Sequence, residues 1–384
     1  MSDPEPSERY SPEPNVLERK AAEYLSRLNE GHEDEWRERT DSEVAEMERI
    51  IRWSVAYAAI AGIISGGIIG GVEVWIRLGI FDGQMDQVGW REQLPYWVGF
   101  FAVAGVISAI EIAALYATAI RGVGKLSNTS GIGLRTAGHS ELLSRGLARA
   151  ALEFPNPRVH VYGIDPYAYM SNWWIMARSV AYKMKVGVTS FLLRVFLRRV
   201  LARMAIRGIV PLVAGPLYAL WNAIIVWRIM HEARLRALSP FAVEQLVGQI
   251  SSETKRPGPR AVEVMMHGVG EMFMRGHDAH PNQVLLMSRL QEELGFESDT
   301  VEVDWEARLE DLRALGPHEQ EAVLKVLTLS SILGSKTYKQ QKELLHEAHE
   351  ASGFKFDTDE LERLRKQLKK GRGVSPDDHA SVRR

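Results

Sequence analysis

Few residues in this 384-residue chain have types and spacing that could do chemistry. His277, Asp278 and His280 place two imidazoles and a carboxylate within four positions. Such a set could offer nitrogen and oxygen ligands to a divalent metal, and the same residue types suit turn and helix-capping chemistry. Glu111 is the single charge in the long apolar run from Leu94 to Ile120. An ionised carboxylate at the centre of a membrane span costs about 3 kcal/mol on insertion scales. It must therefore be neutral, paired or facing a wet gap. Two readings follow: a proton- or ion-linked site, or a carboxylate near enough to the cytoplasmic side to reach water or Arg121. Glu73 falls at the far end of the preceding apolar run, as an interface residue at a different depth.

A third group is basic. Between Asp165 and Glu232 there is no acidic residue. Within that stretch Arg194, Arg198, Arg199, Arg203 and Arg207 fall opposite an apolar stripe of Leu193, Leu197, Val200 and Met204. A basic amphipathic helix suits an anionic membrane surface. Basic residues interleaved with aromatics also suit single-stranded nucleic acid, and a solvated face of a helical bundle would look the same. Attachment to an apolar anchor favours lipid headgroups, so no nucleic acid is expected as partner.

Elsewhere the chemistry is thin. The chain has no cysteine, which excludes disulfides, thiolate metal sites and a cysteine nucleophile. No Gly-rich phosphate loop, G-x-S-x-G or H-E-x-x-H motif is found. Met265, Met266, Met272 and Met274 read as core filler, and His346 and His349 as residues of a solvated helix face. In "GIDPYAY" (163–169), Asp165 and Pro166 read as the cap and first residue of a helix. No catalytic residue and no cofactor is expected.

The elements that must position these groups are helical. Trp53 to Val72 carries no charge and has about the 20 residues needed to cross a bilayer core. With the second run it predicts spans near 53–75 and 94–120, joined by a short polar linker: a two-helix transmembrane hairpin over 53–120. Trp53, Trp75, Tyr96 and Trp97 sit near the span ends, where aromatic rings favour the interface. The linker holds only Arg77 and Arg91, whereas Arg121, Lys125, Arg135, Arg145 and Arg149 follow the second run and Arg49 and Arg52 precede the first. Both flanks are thus expected in the cytoplasm. Gly62, Gly66 and Gly70 are spaced by four, as are Gly67 and Gly71. Each series forms a groove that another backbone can approach closely, offered by the second span or by another subunit. A buried pair of helices in a soluble protein is the competing explanation of both runs.

Residues 1–14 and 371–384 are polar and read as disordered, with short helices over 15–52 and a basic helical region over 121–250. Ile209 to Trp227 is uncharged, contains Pro211 and Pro216, and is flanked by basic residues on both sides. It could be a third crossing, but a crossing should show charge asymmetry, so it reads as a buried or re-entrant element. The stretch "RGIVPLVAGPLYALWNAIIVWRIMHEARLRAL", with its "PLVAG", Asn222 and final "EAR", resembles the closing segment of EcsC-type proteins. That resemblance implies a bacterial membrane setting, related to secretion, and supplies no catalytic residue. Farther on, "GHDAHPNQVLLMSRLQEELGF" (276–296) and "GSKTYKQQKELLHEAHEASGF" (334–354) have equal length and close alike, each after an apolar helix. This predicts a duplicated helix-turn-helix over 260–356, similar to TerB-like modules of the tellurite-resistance type. In that family acidic turn residues can bind metal; here the second turn has no carboxylate.

The expectation is an all-α protein of the bacterial inner membrane with both termini in the cytoplasm. It would act as a non-enzymatic scaffold or regulator, linked to envelope stress or secretion. Its partners would be membrane lipids with anionic headgroups and a protein partner or second copy. The alternatives are a small channel or transporter subunit using Glu111, and a metal-binding protein using His277, Asp278 and His280.

Overall fold

The computed structural model describes residues 14–28, 37–131, 140–157, 159–177, 210–252 and 256–372. Among them the fold is all-helical, and the only strand-like feature is an isolated bridge between Val161 and Ile164. In chain order the helices are α1 (Val16–Leu28), α2 (Asp41–Val74), α3 (Trp90–Thr129), α4 (Ser140–Ala151), α5 (Val210–Ser252) and α6 (Pro259–Gly276). They continue with α7 (Pro281–Leu294), α8 (Trp305–Ala314), α9 (Pro317–Ile332), α10 (Lys339–Ala351) and α11 (Thr358–Lys369). The chain divides into two compact units. One comprises Met1–Met47, Val123–Asn172 and Glu232–Arg384; the other comprises Glu48–Gly122 and Trp173–His231.

The smaller unit is built from the apolar parts of α2, α3 and α5. α2 starts on a capping box: Glu43 accepts from the Thr40 N–H at 2.8 Å, and the Glu43 N–H reaches the Thr40 hydroxyl at 3.3 Å. A hydrogen bond from Arg37 holds the Glu43 carboxyl down at about 2. After Val74 the helix loosens into a π turn over Trp75–Ile80. α3 then brings Phe100 and Ala104 into one apolar cluster with Ile69, Ile76, Met85 and Tyr218. Farther along α3, Gly122 leaves room for Ser54 and Met230.

Two helices, Asp41–Ile80 including the π turn and Trp90–Thr129, are long and apolar enough to cross a membrane by length and composition. The core helix of a soluble protein would be mostly buried. Here only 33% and 22% of the most apolar windows are buried. Trp53, Tyr57, Ile60, Ile64 and Ile68 of α2 are exposed, as are Phe101, Val106 and Ile110 of α3. Apolar faces of this extent are far from the scattered exposed residues usual on soluble domains.

The larger unit has the opposite character: apolar residues and several paired charges inside, with ion pairs between helices. α1 packs on α4 by burying Ala21, Ala22 and Leu25, together with a charge, Glu18. Arg149 grips that carboxylate with two nitrogens, at 2.6 and 3.0 Å, and Arg145 adds a third contact at 3.4 Å. A buried carboxylate is tolerable when so paired. Helices α6 to α11 surround a core that includes Met265, Met266, Met272 and Phe273, the apolar role expected of the methionines. The Gln283 side chain donates to the Ser330 carbonyl at 2.8 Å, and the Gln341 side chain to the Met272 carbonyl at 2.9 Å. α7 and α10 both end on a left-handed glycine, Gly295 (φ 73°) and Gly353 (φ 72°), a conformation that favours a residue without Cβ.

Two local expectations are corrected. "GIDPYAY" does not open a helix. Asp165 instead accepts the Tyr167 N–H at 2.9 Å in an Asx-type turn, and the stretch continues as turns. Its short carboxylate finds a partner two residues on, which serves a turn as well as a helix start. Gly371 belongs to the folded chain rather than to the tail: its carbonyl accepts the Arg39 N–H at 3.1 Å.

Candidate functional site

The most unusual chemical feature of the smaller unit is a carboxylate in its interior. Glu111 is only 4% exposed. The side-chain amide of Asn222, itself 1% exposed, donates to Glu111 Oε1 at 2.6 Å and approaches the Ala58 carbonyl at 3.3 Å. The pair thus ties α3, α5 and α2 at one level. Of the three fates open to Glu111 from the sequence, the structure gives it a partner. That partner is an amide 111 positions away.

Asn222 reaches this depth because α5 lies against the glycines of α2. A Cβ added to Gly62 would stand 2.6 Å from the backbone of Tyr218 and Ala219, and one added to Gly66 would stand 2.7 Å from Gly215 Cα. Gly70 of the same series is buried. Gly67 and Gly71, the second series, have nothing within 4 Å of such a Cβ. The glycines therefore divide into one packed face and one open face. The packed face receives α5, a third helix that the sequence reading did not consider as the partner. Glu73 pairs with Arg77 one turn along at 3.0 Å, and Arg77 also lies 5.9 Å over the Trp97 ring. Glu73 and Glu111 do not form a pair.

In the larger unit, His277, Asp278 and His280 do not converge as ligands. His277 closes α6 in the left-handed conformation (φ 50°). Asp278 accepts from the Asn156 amide at 2.8 Å. His280 caps α7: its Nδ1 accepts the Asn282 N–H at 3.3 Å, and its Nε2 faces Glu232 at 2.9 Å. The His277 backbone closes a helix, Asp278 holds Asn156 and His280 serves as a cap, and among the described residues no three His, Asp or Glu side chains are grouped to hold a metal.

Glu232 is the polar centre that sequence reading missed. It accepts from Arg236 at 2.9 Å, faces His280, and accepts from the Ser335 hydroxyl at 2.7 Å. Burial alone would raise its pKa, but the Arg236 charge and the His280 and Ser335 hydrogen bonds outweigh it and hold the carboxyl well below the ordinary range. Ser335 and His280 both address the carboxylate, so this is a clamp between α5, α7 and the loop after α9. A hydroxyl activated by an imidazole would need the two in contact with each other. The one available signal was the Glu232–Arg236 spacing of four on a helix, which marks an ion pair.

Arg194, Arg198, Arg199, Arg203 and Arg207 lie outside the described residues. Comparison with protein-family models, curated proteins and solved structures gives no match to this chain.

Proposed function

We propose that this protein is a membrane-anchored, non-enzymatic scaffold or regulator of a bacterial inner membrane. The apolar unit is its anchor, a transmembrane hairpin of α2 and α3, and the polar helical unit is a partner-binding module on the cytoplasmic side. The observation that carries the reading is the exposure of apolar side chains along both long helices, which no second layer covers among the described residues. The charge pattern supports the orientation, since basic residues crowd both flanks and are sparse between the helices.

The module is read as a duplicated helix-turn-helix of TerB-like type. A constant shift of 58 residues relates Gly276 to Gly334, Gln283 to Gln341, Gly295 to Gly353 and Met272 to Ser330. The two glutamine bonds described above obey that shift: each half donates to the matching carbonyl of the other. Such reciprocity supports duplication followed by mutual packing. A rigid module with its polar groups engaged in capping and ion pairs suits binding a protein better than turning over a substrate. The basic stretch 194–207 would add contact with anionic headgroups, and its segment is kept from the EcsC-like reading.

Topology reporters test the arrangement. Fusions after residues 150 and 384 are both expected to report cytoplasm. A periplasmic signal from either would overturn it.

A further inference from the structure

We infer that the first half of α5, from Val210 to Trp227, is a third membrane-embedded helix, part of a re-entrant segment that leaves both of its flanks on one side, whose outer face of Leu220, Ile224 and Trp227 contacts lipid acyl chains. The inference rests on the anchoring reading and extends it, because that reading needs only α2 and α3.

The segment is two-faced within its own unit. Tyr218, Ala219, Asn222 and Val226 are buried, whereas Leu220, Ile224 and Trp227 are 59%, 43% and 51% exposed. The buried face carries the polar group, an amide bonded to Glu111. The outer face carries only hydrocarbon and an indole. A helix on a water-facing surface is arranged the other way, with polar groups outward. Inside a bilayer the polar residue must turn inward, because hydrocarbon offers no hydrogen-bond partner.

The packing is also of membrane type. Between α2 and α5 a Cβ at Gly62 or Gly66 would run into the backbone of the facing helix, at Tyr218 and Ala219 and at Gly215. Small residues that admit close backbone approach, with an interhelical polar bond, are how helices associate where no hydrophobic effect drives them. Pro216 is exposed on this helix, and proline is tolerated within membrane helices where the freed backbone carbonyl finds another partner.

The contacts also set direction and depth. Going up α2 from Ala58 to Gly62 to Gly66, the facing residues run down α5 from Asn222 to Ala219 to Gly215. The helices are antiparallel, so the Val210 end of α5 points the same way as the end of α2 that leads to α3. Trp227 then falls near the level of Trp53, where an indole suits the interface. Leu220 should lie about 10 Å deeper, at about 1.5 Å per residue.

The natural chain has no cysteine, so single cysteines in the full-length protein are unambiguous probes. Leu220→Cys and Ile224→Cys would be compared, in reconstituted vesicles, with Ile64→Cys on α2, Ile110→Cys on α3 and the exposed Thr40→Cys. Retention in the vesicles shows each variant intact. A membrane-impermeant maleimide is expected to label positions 220 and 224 at least tenfold more slowly than position 40, like positions 64 and 110. A bimane attached at 220 should be quenched by lipid brominated at mid-chain more strongly than one at 224, and one at 227 least. Fast labelling at 220 and 224 with 64 and 110 still shielded would overturn this inference and leave the two-helix anchor standing. Fast labelling at all four positions would overturn both.

Discussion

The two units solve the same problem, holding helices together, with opposite means. In the larger unit charges join the helices: Glu18 between two arginines, Glu232 among Arg236, His280 and Ser335, and Arg275 between Glu271 and Glu347. In the smaller unit glycine lets backbones touch, and Asn222 makes polar contacts across its helices, to Glu111 and to the Ala58 carbonyl. On the proposed anchoring, the contrast reflects what surrounds each unit. Where water competes, apolar burial supplies the driving force and a network of ion pairs fixes which helix meets which. Where the outer surface is itself apolar, burial of more apolar surface gains little. Close packing and the buried hydrogen bonds of Asn222 then carry the specificity.

This contrast predicts an ordering of mutational effects. The largest falls at Gly66. Gly66→Leu sets side-chain atoms against the Gly215 backbone, which cannot rotate away, so α2 and α5 must separate. A loss of about 3 kcal/mol is expected, the upper part of the usual range for overpacking. Gly67→Leu, one position on, enters open space and should change stability by less than about 0.5 kcal/mol. Thermal unfolding in detergent micelles measures both. Equal losses at the two positions would mean that the Gly67 face is packed too, against a second copy of the chain.

Next in size is the Glu232 clamp. Glu232→Ala leaves Arg236 and His280 facing a lost carboxylate. About 2 kcal/mol is expected, below the 3–5 of a fully buried pair because Glu232 keeps some contact with solvent. The pH dependence has a definite sign. The folded carboxyl titrates below its ordinary value near 4.5, so the folded state binds this proton less readily than the unfolded state. The stabilisation is complete above about 4.5 and is lost as pH falls towards the depressed folded value. Glu232→Gln should flatten that acid limb of the unfolding curve while leaving the neutral-to-alkaline limb parallel to wild type.

Smaller still are the paired hydrogen bonds. Gln283→Ala and Gln341→Ala should each cost about 1 kcal/mol, a typical net value for one buried hydrogen bond. Near-equal losses support the duplication; a large loss at one position and none at the other would count against it. A double-mutant cycle on Glu111 and Asn222 should give a coupling of about 0.6 to 1.7 kcal/mol, as for polar contacts between membrane helices. Glu111→Gln should retain most of it, because the acceptor oxygen at that position remains.

Periodicity and composition made the helical class, the two long apolar helices and the equal-length segments of the C-terminal region legible. These are local patterns, repeated every turn. What escaped was pairing across distance. Asn222 was visible only as part of a family-like stretch, because nothing near it in sequence announces a carboxylate 111 positions earlier. The two glycine series looked alike in spacing, and only the docking of α5 separates the packed one from the open one. Glu232 was hidden for the same reason, its partners lying at 236, 280 and 335. His277, Asp278 and His280 left two readings open, a shared ligand or turn and capping chemistry; the backbone turn sends each to a different neighbour, as the second reading has it.

The central claim is that the smaller unit sits in lipid, and washing membranes with alkaline carbonate tests it most directly. Carbonate strips proteins held at the surface by charge, while two buried helices hold on almost irreversibly. The full-length protein should stay wholly with the membrane pellet and leave it only on addition of detergent. Its release into the supernatant by carbonate alone would contradict the account, and the exposed apolar faces of α2 and α3 would then have to be covered by protein.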